Sequence, residues 1–166
     1  MTSSPLSGRR VLLIEDEMMV VMLLQDMLID LGCTVLGRAT CVEQALAMIE
    51  NTTQINAALL DLNLNGQKSY SVADALVERG VPFAFVTGYH GVSMMNWYRR
   101  FPVLHKPFRL SQLRGTLTAV LSPNEVKHLA RIAPISVWRG DQPPLASGSG
   151  HRPCPPKESS AGRVYH

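Results

Sequence analysis

Short apolar, β-prone runs alternate with helix-length segments through the first two thirds of this chain, and the runs stop at residues able to carry chemistry. VLLI stops at Glu15-Asp16, AALL at Asp61, FAFV at Thr87, and the stub Val103-Leu104 just before Lys106-Pro107. Strands that alternate with helices pair in parallel through right-handed crossovers, so all their carboxyl ends fall on one edge of the sheet. Three carboxylates, a hydroxyl and an ammonium are therefore expected to meet in one crevice at that edge.

The individual elements follow from period and punctuation. Arg10 to Ile14 reads as a strand, and Met18 to Leu31 as a helix stopped by Gly32. Thr34 to Ala39 is a second strand, Val42 to Ile49 a helix that starts near Thr40 or Cys41, and Ile55 to Leu60 a third, fully buried strand. Asn63-Leu64-Asn65-Gly66 signals a turn, Ser71 to Arg79 a helix stopped by Gly80, and Phe83 to Val86 a fourth strand. Val103-Leu104 is a short fifth strand and Leu110 to Leu121 the last helix, closed by Pro123. The pattern predicts a five-stranded, doubly wound parallel α/β sheet, and the flavodoxin-like order 2-1-3-4-5 is the known arrangement of that kind that sets the first and third strands side by side.

Domain organisation follows from where composition changes. A chain of 166 residues with 46% hydrophobic and 17% charged residues supports one packed core. Residues 8–122 are expected to form it. Seven of the eleven prolines lie in residues 123–166, which reads as a mostly disordered tail whose apolar cluster Ile135 to Trp138 is available for docking. The net charge of +3 also belongs to the tail, because residues 1–122 carry ten Lys/Arg against ten Asp/Glu. A folded part without excess positive charge argues against nucleic acid as a partner. The opening MTSSPLSGRR lacks an apolar core and the run Met18 to Leu24 is too short to span a bilayer, so the expectation is a cytoplasmic protein with no membrane partner. Cys33, Cys41 and Cys154 show no CxxC spacing, which favours reduced thiols, with Cys33 and Cys41 packing as small apolar residues.

The residues at the strand ends suit a divalent cation and a phosphoryl group. Adjacent side chains Glu15 and Asp16 diverge, so one can bind a metal directly and the other through water, in the manner of magnesium sites. Asp61 belongs beside them if the first and third strands are neighbours, and the backbone carbonyl of Asn63 can add a ligand. Thr87 and Lys106 go beyond what a cation needs. A hydroxyl and an ammonium converging on a carboxylate fit stabilisation of a phosphoryl group carried by that carboxylate, which makes Asp61 the candidate nucleophile. Pro107 can set the lysine through a cis bond.

Taken in order, Glu15, Asp16, Asp61, Thr87 and Lys106-Pro107 resemble the receiver domain of bacterial two-component response regulators. DLNLNG, SYSVADAL, VPFAFVTGY and VLHKPF further resemble its single-domain FAT-GUY subgroup, with Val86 where that motif has alanine. The resemblance implies the receiver fold, Mg2+ as cofactor, and transfer of a phosphoryl group to Asp61 from a sensor histidine kinase or histidine phosphotransfer protein. It implies a signalling module that switches or relays a protein–protein signal, not an enzyme of metabolic turnover. The aromatic switch residue of ordinary receivers is replaced by Val103, so switching is expected to use another route, and Tyr89 is a candidate for tuning. Gly88, Gly91 and Asn96 weaken a fourth helix, and His90 to Arg100 is expected to be mobile until phosphate orders it.

Competing readings are weaker. A Mg-dependent phosphatase of the haloacid-dehalogenase type would need a DxD pair on its first strand, whereas Asp61-Leu62-Asn63 lacks the second aspartate. A receiver-shaped interaction module that accepts no phosphate would not need all five site residues. His90, His105 and Lys68 read as loop residues. The first helix is apolar nearly all round, so Met18 and Met22 are candidates for a partner-docking surface beside the acids.

Overall fold

The computed structural model describes residues 4–88, 94 and 97–125. Five strands, β1 (Arg10–Ile14), β2 (Thr34–Ala39), β3 (Ala57–Asp61), β6 (Phe83–Thr87) and β7 (Val103–His105), form a sheet of order β2-β1-β3-β6-β7. Every pairing in it is parallel. Two further strands, β4 (Asn63–Leu64) and β5 (Gln67–Lys68), make a separate antiparallel hairpin. Counted over the main strands, this is the expected 2-1-3-4-5 flavodoxin-like receiver arrangement.

Side-chain alternation divides the core into two layers. Leu12, Ile14, Ala58, Leu60, Phe83 and Phe85 face α2 (Val42–Asn51) and α3 (Tyr70–Glu78). The intervening Val11, Leu13, Ala57, Leu59, Ala84 and Val86 face α1 (Met18–Asp30) and α4 (Leu110–Val120). β3 and β6 are buried at every position, as central strands covered on both faces must be. Each half of the period-2 pattern thus feeds a different helical layer, which makes the order of the helices a consequence of chain reversal at the sheet.

Boundaries differ from expectation where a side chain replaces the ladder. β3 begins at Ala57, not Ile55, because Asn56 exchanges bonds with Arg10: its N–H donates to the Arg10 carbonyl at 2.9 Å and its Oδ1 accepts from the Arg10 N–H at 2.8 Å. The turn signalled at Asn63 to Gly66 is the hairpin itself, with Asn65 and Gly66 both at positive φ (51° and 88°) as a tight two-residue connection needs. Gly32 and Gly80 stop their helices at φ of 79° and 64°.

Cysteine chemistry departs from expectation at one position. Cys33 is a buried free thiol, but Cys41 is disulfide-bonded. Absence of CxxC spacing excludes only a local pair, so the sequence argument did not reach a long-range one. The tail from residue 126 onward and residues 89–93, 95 and 96 also lie outside the described residues, and with them the expectations of disorder and of mobility over most of His90 to Arg100.

Between β6 and β7 the described chain forms a 3-10 helix, Tyr98–Arg100, held down by aromatic packing. Tyr98 is 3% exposed, stacks on Tyr70 at a centroid distance of 4.3 Å, meets Phe85 edge-on, and donates its hydroxyl to Asp74 Oδ1 at 2.8 Å. Burial pushes the Asp74 carboxyl above its ordinary value, and the Tyr98 hydroxyl pulls it back. Tyr98→Phe removes the donor while leaving the ring, so the partly buried Asp74 carboxylate loses its bond; the expected cost is about 1–2 kcal/mol. Urea unfolding checks this as a lower midpoint at unchanged slope.

Candidate functional site

Register brings the strand ends level. Ile14 pairs with both Ala39 and Leu60, Asp61 with Val86, and Thr87 with His105. Glu15, Asp61, Thr87 and Lys106 are therefore all at or next to the last paired residue of their strands. An open cleft of about 400 Å³ sits there, lined by Asp16, Glu17, Asp61, Asn63, Gly88 and Lys106.

Lys106 organises the cleft. Its Nζ lies 2.8 Å from Glu15 Oε2, 2.9 Å from Asp61 Oδ2 and 3.1 Å from Glu17 Oε1. The Asp61 and Glu17 contacts are aligned hydrogen bonds, while Glu15 Oε2 is within ion-pair distance without an aligned donor. Burial alone would lower the lysine, but its bonds to Glu15 and Asp61 outweigh that and hold the ammonium above its ordinary range. Lys106 is joined to Pro107 by a cis bond, and its N–H donates to the Thr87 carbonyl at 2.8 Å, which ties the end of β7 to the end of β6.

The acids are aimed by backbone donors. Glu15, 1% exposed, accepts from the Glu17 N–H at 3.1 Å, and Asp61, 5% exposed, accepts from the Asn63 N–H on Oδ1 at 2.9 Å. Asp16 is half-buried and accepts on Oδ2 from the N–H of Asn65 at 3.0 Å. Ligand atoms of Glu15, Asp16 and Asp61 all lie within 4.8 Å of one another. Two carboxylates at about 5 Å repel by about 3 kcal/mol at an effective dielectric of 20. Burial, reinforced by Asp61 and opposed by Lys106, pushes the Glu15 carboxyl up to about 7. The cluster is crowded with negative charge against one ammonium, and its oxygen-only donor set fits a hard divalent cation such as Mg2+.

The structure brings Glu15, Asp16, Asp61, Asn63, Thr87 and Lys106 to one edge. Thr87 is buried at the end of β6, and Gly88, not Thr87, lines the cleft. Val103 is half-buried on β7 and packs against the α2–α3 layer, while Pro107 is exposed. Met18 and Met22 are exposed on α1, at 47% and 54%, with Met19, Leu23 and Ile29 also exposed. Lys68 and His105 are exposed, and Tyr89 and His90 lie outside the described residues.

Three residues in or around the cleft carry no expectation of a role in the site from sequence. Glu17 reaches Lys106 although it is 89 positions away, Ser69 donates its hydroxyl to the Asp61 carbonyl at 2.5 Å, and Asn65 reaches Asp16 across 49 positions. Ser69 is the one with a usable signal, since it stands at the N-cap position of α3, which serine favours, although its hydroxyl bonds the Asp61 carbonyl and not the helix.

Among the described residues, no helix is long and apolar enough to cross a membrane. No curated protein matches the chain. Among solved structures, SdrG from Sphingomonas melonis Fr1 is 39% identical with a TM-score of 0.63, covering 74% of this chain and 100% of that one. The BeF3-activated conformation of SdrG from Pseudomonas melonis Fr1 is 40% identical with a TM-score of 0.62, over 70% of this chain and 98% of that one. The receiver domain of the PhyR response regulator from Erythrobacter litoralis is 29% identical with a TM-score of 0.60, over 69% and 91%. The family model described as "Response regulator receiver domain" matches residues 11–118, well over half of the sequence, and the chain belongs to that family.

Proposed function

We propose that this receiver accepts a phosphoryl group on Asp61 and uses it to switch or relay a protein–protein signal. The observation that carries the reading is the Asp61 carboxylate itself: Oδ2 meets Lys106 Nζ at 2.9 Å while ligand atoms of Glu15 and Asp16 lie within 4.8 Å. A carboxylate oxygen of Asp61 attacks the phosphorus of a partner phosphohistidine, an O–P bond forms, and the P–N bond breaks. The imidazole nitrogen leaves with the electron pair of that bond and takes up a proton.

Glu15, Asp16, Asp61 and the backbone carbonyl of Asn63 are the residues to hold Mg2+. Bound there, the cation offsets the carboxylates' mutual repulsion and shares the charge of the phosphoryl oxygens. Lys106 is already desolvated among its carboxylate partners, so its ammonium can pass to the phosphoryl oxygens with little further loss of water. Thr87 supplies a hydroxyl from the neighbouring strand end. The beryllofluoride-activated form of SdrG, 40% identical, supports a phosphoryl-responsive site in a close relative.

Finer assignments belong to the same proposal. The run PFAFVTGY supports membership of the single-domain FAT-GUY subgroup, with Val86 in the alanine position and Tyr89 as a tuning candidate. Residues 8–122 act as the receiver and 123–166 as an appended tail. The donor is a sensor histidine kinase or histidine phosphotransfer protein, and the exposed apolar side chains of α1, Met18 and Met22 among them, form its docking surface. No observation favours a phosphatase: Asn63 stands where the second aspartate of DxD would be, and its N–H is turned back onto Asp61.

Incubation with magnesium and a small acyl phosphate, followed by intact mass, tests the chemistry. Wild type is expected to gain one phosphoryl adduct that chelation of the metal prevents, and Asp61→Asn none; an adduct on both, or on neither, overturns the assignment. The docking surface is tested with Met18→Lys combined with Met22→Lys. Transfer from the cognate phosphohistidine donor is expected to slow about tenfold, equivalent to about 1.4 kcal/mol of docking energy. Small-molecule phosphorylation is expected to persist, and equal loss of both would point to misfolding.

A further inference from the structure

Glu15 and Asp61 orient themselves by donors two residues downstream, at Glu17 and Asn63, so each is aimed by its own strand end. Asp16 differs. Its Oδ2 accepts from the N–H of Asn65, on the hairpin that follows β3. That hairpin is itself pinned at two points. Leu64 is 1% exposed and belongs to the α2–α3 core layer, and Asn65 Nδ2 donates to the Thr40 carbonyl at 2.8 Å. Thr40 is held in turn, since both its N–H and its hydroxyl bond to Gln44 Oε1 at 3.0 and 3.1 Å.

One residue therefore links three loops. Asn65 stands at φ 51°, a conformation asparagine tolerates far better than most residues, and Gly66 completes the turn at φ 88°. Its backbone faces the β1–α1 loop through Asp16, and its amide grips the β2–α2 loop through Thr40.

We propose that Asn65 is a positioning residue for the cation site: the Thr40 tether fixes the hairpin so that its N–H holds one oxygen of Asp16, leaving the other aimed at the metal. The inference rests on the Mg2+ reading of the acidic cluster. It adds a residue outside the four named to hold the cation, and it implies that cation affinity depends on the docking of the hairpin.

Magnesium chloride titrations of the 15N-labelled full chain, followed by amide shifts, give the dissociation constant without any phosphoryl donor. Asn65→Gly keeps the positive φ but loses the Thr40 tether, and is expected to weaken Mg2+ binding about three- to fivefold. Asn65→Ala loses both and is expected to weaken it further. Phosphorylation by a small acyl phosphate is then measured across magnesium concentrations; the Asn65→Gly deficit is expected to vanish at saturating metal. A purely structural role would leave a deficit that metal does not rescue, and that result, or an unchanged dissociation constant in Asn65→Gly, overturns the inference while leaving the metal reading intact. Wild type without Mg2+-dependent shifts, or with shifts that persist in Asp16→Ala, overturns the metal reading and this inference with it.

Discussion

The reach of Lys106 across the sheet edge is the interaction on which the site's geometry depends. One ammonium at the end of β7 is within 3.1 Å of carboxylates from the β1 end, the start of α1 and the β3 end. Without it the acids stand within a few ångströms of one another with no compensating charge among the described lining residues. Such a group would protonate, spread apart or bind a cation. Glu15 shows the first of these tendencies already, because burial carries its carboxyl up to about 7 even with the lysine present. The cleft thus holds a net negative balance of charge that an added cation, or an added phosphoryl group together with one, can shift.

Rigid elements set that balance. The nucleophile candidate closes β3, whose five residues are all buried, and its carbonyl is fixed by Ser69 at the head of α3. Lys106 is tied through its N–H to the last residue of β6. The Glu15 and Asp61 carboxylates are therefore carried directly after or on buried strands, Lys106 reaches them on a long side chain fixed by its ion pairs, and the central strands are covered by helices on both faces. A site assembled this way is costly to distort, since moving one carboxylate means moving a core strand.

What could be read from the sequence, and what could not, divides along contact range. β1 and β2 were legible to the residue, because Arg10 to Ile14 and Thr34 to Ala39 are bounded by charge, glycine or threonine. The parallel sheet came from the alternation and its order from the likeness to receivers, and the convergence of Glu15, Asp61, Thr87 and Lys106 followed from the two without any side-chain detail. Glu17 was invisible for a different reason: an acid beginning a helix looks like a solvated charge, and nothing local tells that a lysine 89 positions away will meet it. Asn65 was legible as a turn residue and illegible as a partner of Asp16. The Cys41 disulfide and the Tyr98–Asp74 bond are of the same kind, long-range pairings between residues whose local context is ordinary.

The apolar surface of α1 gains its meaning from where the helix begins. α1 starts at Met18, immediately after Glu17, whose carboxylate is on Lys106. Met18 and Met22 are one turn apart, so a partner that covers them lies along the first two turns of the helix and next to the cleft mouth. Burying exposed methionines is favourable wherever the partner sits, and their flexible thioethers adapt to its shape. Glu17 is 63% exposed on its side chain, so it is the member of the lysine's carboxylate set that an approaching partner meets first. Under the proposed docking on α1, a partner would displace water from that carboxylate and so act on its pairing with Lys106.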